Sequence, residues 1–225
     1  KGFWLKKLYT FVIMVLDKKV AEQTVNFLTQ INAIKLNTKN PFTWTSGIKS
    51  PIYCDNRLVL SYPKIREFIA DSMTQIIKNK YGSDISIAGV ATGAIAVGAM
   101  ISERLNVPYA YVRPEPKGHG LRNQIEGNIE EKSNVVVIED LISTGKSSLN
   151  AINALKSEDI NVMGMLSIFS YNFDFANKKF IDEKVTINSL ADYNTLVEVI
   201  ESNGDLNNDE ITRLKKWRED PESWS

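Results

Sequence analysis

The chain has 225 residues, enough for one sizeable domain with its own core, and 43% hydrophobic with 24% charged residues is an ordinary globular composition. Its 27 Lys and Arg balance 27 Asp and Glu, which argues against the basic excess of a protein that lives on nucleic acid. One cysteine, Cys54, and one histidine, His119, exclude an internal disulfide and a Cys/His metal cluster, so a reducing cytoplasm is the simplest setting.

The first sixteen residues, KGFWLKKLYTFVIMVL, end in an apolar run at 11–16 that is too short to cross a membrane. Met14 precedes a regular helical pattern. Residues 1–13 are therefore read as an upstream or non-native extension, and 14–225 as a single domain. Val20, Ala21, Val25, Phe27, Leu28 and Ile31 recur at helical spacing over 17–34, with Asp17 as the cap. Residues 37–56 are rich in Thr, Asn, Ser, Gly and Pro with interleaved aromatics, which predicts irregular or short-strand structure. A second helix is predicted over 61–81, capped by Ser61, with Pro63 in its first turn and Gly82 at its end. Apolar runs then alternate with helices: strands at 85–90, 108–112, 135–138, 162–169 and 185–187, helices at 94–105 and 145–156. Two final helices are expected at 191–200 and 209–217. Continuous apolar runs separated by helices predict an α/β fold, an open and mostly parallel central sheet flanked by helices. The domain divides into an N-terminal portion at about 14–60, a core at about 61–190 and C-terminal helices at about 191–225.

The segment VVVIEDLISTGKS, residues 135–147, carries the most chemistry. A strand runs into Glu139 and Asp140, then Leu141, Ile142, Ser143, Thr144, Gly145, Lys146 and Ser147 lead into a helix. Ligands in such sheets bind beyond the carboxyl ends of the strands. Hydroxyls from Ser143, Thr144 and Ser147, a glycine that permits close backbone approach, and unpaired amides at a helix start all favour a phosphate. Adjacent carboxylates would repel that phosphate but suit uncharged hydroxyls, and a phosphorylated ribose presents both. A plain strand–turn–helix is the bland alternative. The nucleoside-triphosphate loop is excluded, because its motif needs a glycine at position 140, where Asp140 stands.

This segment closely resembles the donor-binding motif of type I phosphoribosyltransferases. Three further stretches resemble the orotate phosphoribosyltransferase family in particular: TSGIKSPIY at 45–53, GVATGA at 89–94, and YVRPEPKGHG at 111–120 followed by Gln124, Ile125, Glu126 and Gly127. The resemblance runs from about Val15 to the C-terminus. It implies that residues 45–54 form a hood over the base, that Lys49, Tyr53 and Ser143 touch orotate, and that Thr92 and Gly93 hold pyrophosphate through a loop of unusual peptide geometry. It implies a mobile catalytic loop in which Arg113, Lys117 and His119 neutralise the departing pyrophosphate. Cations set among Gly and Pro suit a lid over a highly charged substrate, although Lys117 alone reads equally as a solvated lysine. Residues 139–147 would bind phosphoribosyl pyrophosphate, with Glu139 and Asp140 on the ribose hydroxyls and Lys117 and His119 joining them in catalysis. Mg²⁺ would bridge substrate oxygens, with no side chain assigned as its direct ligand. A homodimer that shares the mobile loop between subunits is also implied, with neither nucleic acid nor membrane as a partner.

The chain departs from the pattern in several places. Thr45 stands where many members have lysine, Tyr53-Cys54 where some have paired aromatics, and Pro114 where some have lysine. Gly93 lies where a lysine of the pyrophosphate loop is absent. Residues 168–172, Ile-Phe-Ser-Tyr-Asn, replace an arginine that holds orotate in some members. Ser143 and backbone amides near Tyr53 remain to hold its carboxylate. Two rivals differ testably: a purine-base transferase of the same fold, and a regulator that senses phosphoribosyl pyrophosphate without catalysis.

Overall fold

The computed structural model describes residues 14–44, 47–115 and 124–224. In chain order the elements begin with β1 (Met14–Val15), α1 (Lys18–Gln30), β2 (Ile34–Leu36), β3 (Phe42–Thr43), β4 (Lys49–Ser50) and β5 (Ile52–Cys54). A 3-10 turn (Asn56–Ser61), α2 (Pro63–Tyr81), β6 (Ser86–Val90), α3 (Ile95–Leu105), β7 (Tyr109–Val112) and β8 (Ile125–Glu126) follow. Then come β9 (Asn134–Ile142), α4 (Lys146–Ser157), β10 (Asn161–Ser170), α5 (Asp174–Asp182), β11 (Ile187–Asp192), α6 (Tyr193–Asn203) and α7 (Asn208–Glu219).

Seven strands form one sheet in the order β1-β11-β10-β9-β6-β7-β8. All neighbours are parallel except the β7–β8 pair, so the expected open, mostly parallel sheet is present. Its strands alternate between two apolar layers. Val136, Ile138 and Leu166 face the helices α1, α2, α3, α6 and α7, while Val135, Val137 and Met165 face α4 and Phe180 of α5. After β6 the chain crosses to β7 on one side; after β9 it crosses to β10 on the other. The crevice between the carboxyl ends of β6 and β9 is therefore the topological switch point, where such sheets bind ligands.

Several boundaries differ from expectation. The first helix stops at Gln30 rather than 34, because Asn32 turns left-handed (φ 57°) and the Ala33 amide folds back on the Leu28 carbonyl at 2.8 Å. Ser61 is not the cap of α2. It ends the 3-10 turn, whose start Asp55 caps, and Tyr62 precedes Pro63 without a side-chain cap. The strand expected at 135–138 continues through Ile142, since Glu139, Leu141 and Ile142 stay paired with Ser167, Phe169 and Ser170. The strand expected at 185–187 instead runs over β11, and the following helix begins at Tyr193, not 191. Buried polar residues disguised it: Ser189 bonds Ser167 at 2.6 Å, and Asp192 caps α6 by accepting from the Thr195 amide. α5 was not anticipated.

Residues 34–54 form two small antiparallel ribbons, β2 with β5 and β3 with β4. An aromatic cluster fastens them to the body. Trp217 of α7 is fully buried, with ring centroids 5.4–5.8 Å from those of Tyr193, Phe173, Trp44 and Tyr171. Its indole N–H donates to the Lys49 carbonyl at 2.9 Å. No helix among the described residues is long and apolar enough to cross a membrane. Replacing Trp217 with alanine removes this hub and should cost about 3–5 kcal/mol of stability. Urea unfolding followed by circular dichroism measures it; a loss under about 1 kcal/mol would show that the cluster does not bind the ribbons to the body.

Candidate functional site

The site is built on the last turn of pairing in β9. Glu139 is 4% exposed; its Oε2 accepts from the Ser148 hydroxyl at 2.9 Å and its Oε1 from the Asp140 amide at 3.1 Å. Asp140 is only half-buried, and its carboxylate reaches the loop after the neighbouring strand. A Cβ on Gly93 would lie 2.2 Å from the Asp140 carboxylate, so the two strand ends touch and a side chain at 93 would have to displace that carboxylate. The Ala91–Thr92 peptide that leads into this contact is cis, which is the unusual geometry the resemblance implied.

Below Asp140 the chain passes through Ser143 and Thr144 to Gly145, whose φ of +76° starts α4 with no side chain capping it. The first-turn amides of α4 thus remain available to an anion. Gly145 serves packing as well, since a Cβ there would sit 3.0 Å from the Phe180 ring. Glu139, Asp140, Leu141, Ser147, Ala91, Thr92 and Gly93 line one cleft of about 300 Å³, closed on its far side by Cys54, Asp55 and Arg57. Wider grooves, at the amino ends of the strands and between α1 and α2, bring together no comparable chemistry.

A phosphoribosyl transferase domain model matches residues 59–194. The orotate phosphoribosyltransferase of Phocaeicola vulgatus is 46% identical over 93% of this chain and 97% of its own length. The chain belongs to the orotate phosphoribosyltransferase family. Among solved structures, the family member from Aeropyrum pernix superposes with a TM-score of 0.69 at 28% identity, covering 81% of this chain and 99% of that one. An adenine phosphoribosyltransferase from Leishmania donovani reaches 0.64 at 21% identity, over 90% and 92% of the two chains. At that identity the likeness shows the fold alone, and the fold is thus shared across transferases named for different bases.

The candidate site residues named from the sequence stand as follows in this chain. Residues 139–141, Ser147, Thr92 and Gly93 meet in the cleft. Ser143, Thr144, Gly145 and Lys146 lead from β9 into the start of α4, and the Ile142 side chain is buried in the core. Arg113 directly follows β7, 3.3 Å from Glu126, and its main chain is zipped to Gln124 by two bonds of 2.8 Å. These bonds join the two stems of the segment that carries Lys117 and His119, and those two residues lie outside the described residues. Lys49 and Tyr53 are exposed on β4 and β5 and do not line the cleft.

Sequence reasoning missed the turn after β5. Asn56 is buried, donates from Nδ2 to the Asp140 carbonyl at 2.7 Å, and accepts from the Cys54 thiol. Arg57 forks onto Asp55 through Nε at 2.7 Å and Nη2 at 2.8 Å. The available signal was an Asp-Asn-Arg triplet directly after an apolar strand.

Burial pushes the Glu139 carboxyl well above the usual carboxylate range, and the neighbouring Asp140 charge adds to it. Burial also raises Asp140. A carboxyl raised on folding stabilises fully only when protonated, and that stability is lost as pH climbs through its folded-state value. Glu139→Gln should therefore be more stable than the parent at pH 8, with the gap closing on acidification below about pH 4. Thermal unfolding across pH tests this, and a gap independent of pH would refute it.

Proposed function

We propose that this protein transfers the 5-phosphoribosyl group of phosphoribosyl pyrophosphate to orotate, releasing pyrophosphate and forming orotidine 5′-monophosphate in pyrimidine biosynthesis. The observation that carries this reading is the meeting, in one cleft, of the Glu139–Asp140 pair with residues 91–93 and the open start of α4. The chain that builds this cleft matches nearly the full length of a curated family member.

The roles follow from charge. The amides of α4 and the hydroxyls of Ser143, Thr144 and Ser147 receive the 5′-phosphate dianion. Asp140 and Glu139 receive the ribose hydroxyls and face the ring as positive charge develops on it. The C1–O bond to pyrophosphate breaks while the orotate ring nitrogen bonds to C1, so orientation and electrostatic stabilisation do most of the work. Arg113, Lys117 and His119 meet the leaving group, and His119 is able to protonate it near neutrality. Ser143, Lys49 and Tyr53 are assigned to orotate.

Mg²⁺ fits this donor set. Two desolvated carboxylates side by side suit a hard cation held mainly by substrate oxygens and water, and among the described residues no three metal-ligating side chains converge. When bound, the ion spreads the charge of the pyrophosphate. The family resemblance also favours a cytoplasmic homodimer in which the loop of one subunit closes over its partner's site.

Pyrophosphate release should be rapid with orotate and negligible with hypoxanthine, adenine or uracil. Release with a purine would favour the purine-base reading, and none with any base the regulator. Lys117→Ala should lower turnover at least about a hundredfold without unfolding the chain; near-normal turnover would remove Lys117 from the mechanism. Mixing Lys117→Ala with Asp140→Ala chains should restore part of the activity. No recovery in demonstrably mixed dimers would exclude a shared loop.

A further inference from the structure

The cleft carries an electrostatic imbalance. Among its described lining residues are three carboxylates, from Asp55, Glu139 and Asp140, and one cation, Arg57. The loop at Ala91-Thr92-Gly93 is itself neutral. A diphosphate laid along this loop needs a positive partner close by.

Arg57 is built to supply one. Asp55 is anchored by its amide to the Ala33 carbonyl at 2.8 Å and caps the 3-10 turn through its carboxylate. Asn56 bolts the same turn to β9 through the Asp140 carbonyl. Arg57 thus projects from a turn fixed at both sides, with its guanidinium held as a planar fork by Asp55. That pair engages Nε and Nη2; among the described residues Nη1 has no partner. The side chain is 60% exposed, far more than a structural ion pair requires. It lines the same cleft as residues 91–93, which Lys49 and Tyr53 do not line.

We propose that Arg57 is a substrate-binding residue whose guanidinium neutralises the diphosphate of phosphoribosyl pyrophosphate along residues 91–93, supplying the charge that this loop lacks. The inference rests on the transferase reading of the site, and its test does not require turnover. Calorimetry with inorganic pyrophosphate and Mg²⁺, on the full chain, should show binding weakened about tenfold or more in Arg57→Gln, with partial recovery in Arg57→Lys. Orotidine monophosphate, which has the base and the phosphate but no diphosphate, should bind both variants as it binds the parent. In the forward reaction the KM for phosphoribosyl pyrophosphate should rise and that for orotate stay put. Circular dichroism controls for folding, and Arg57→Lys retains the charge if Arg57→Gln proves unstable. Pyrophosphate affinity within about twofold of the parent would overturn the proposal. So would a loss that falls on orotate and orotidine monophosphate instead, which would assign Arg57 to the carboxylate of the base. A parent protein inactive with orotate would count against the transferase reading, while the pyrophosphate comparison would still decide the role of Arg57.

Discussion

Two carboxylates stand at the end of β9, a strand bordered by β10 on one side and β6 on the other, and neither is comfortable there. Burial opposes ionisation of Glu139 and Asp140, and their proximity opposes it further for Glu139. The surrounding structure holds them in place. Ser148 steadies Glu139 from α4, Asn56 steadies the Asp140 backbone from the turn after β5, and Gly93 leaves Asp140 room from the loop after β6. Elements far apart in sequence converge on two adjacent residues. Such an arrangement trades stability for a site organised before substrate arrives.

The sheet topology makes that convergence geometrically natural. Crossovers leave β6 and β9 in opposite directions, so no connection covers the crevice between them. One lip carries the neutral loop at 91–93 and the other the open start of α4. The ribbons at residues 34–54 approach from a third side, and the aromatic cluster around Trp217 ties them to the C-terminal helix. The C-terminal tail, remote in sequence from the chemistry, thus helps set where the turn carrying Asn56 and Arg57 lies.

Some of this was legible in the chain. Long apolar runs such as Val135–Ile138 can be satisfied only between two covered faces, so they announced a buried parallel sheet. β11 was harder to read, because Asn188, Ser189 and Asp192 are polar yet buried, and the partners that satisfy them come from elsewhere in the fold. The same limit hid the Asp55-Asn56-Arg57 turn. Asn56 matters through a carbonyl 84 positions away, and no local pattern encodes that distance in sequence.

By itself the sequence determined the fold class, the strand–loop–helix at 135–147 and the family. These depend on local order: the period of apolar residues and the fixed succession of acids, hydroxyls and glycine along one strand–loop–helix. Only the tertiary structure decided that Gly93 and Asp140 are in contact, that Glu139 accepts from Ser148, and that Arg57 and residues 91–93 line one cleft. Contacts between distant segments arise from how the sheet's crossovers stack those segments, and the residues involved carry no mark of their partners until the chain is folded.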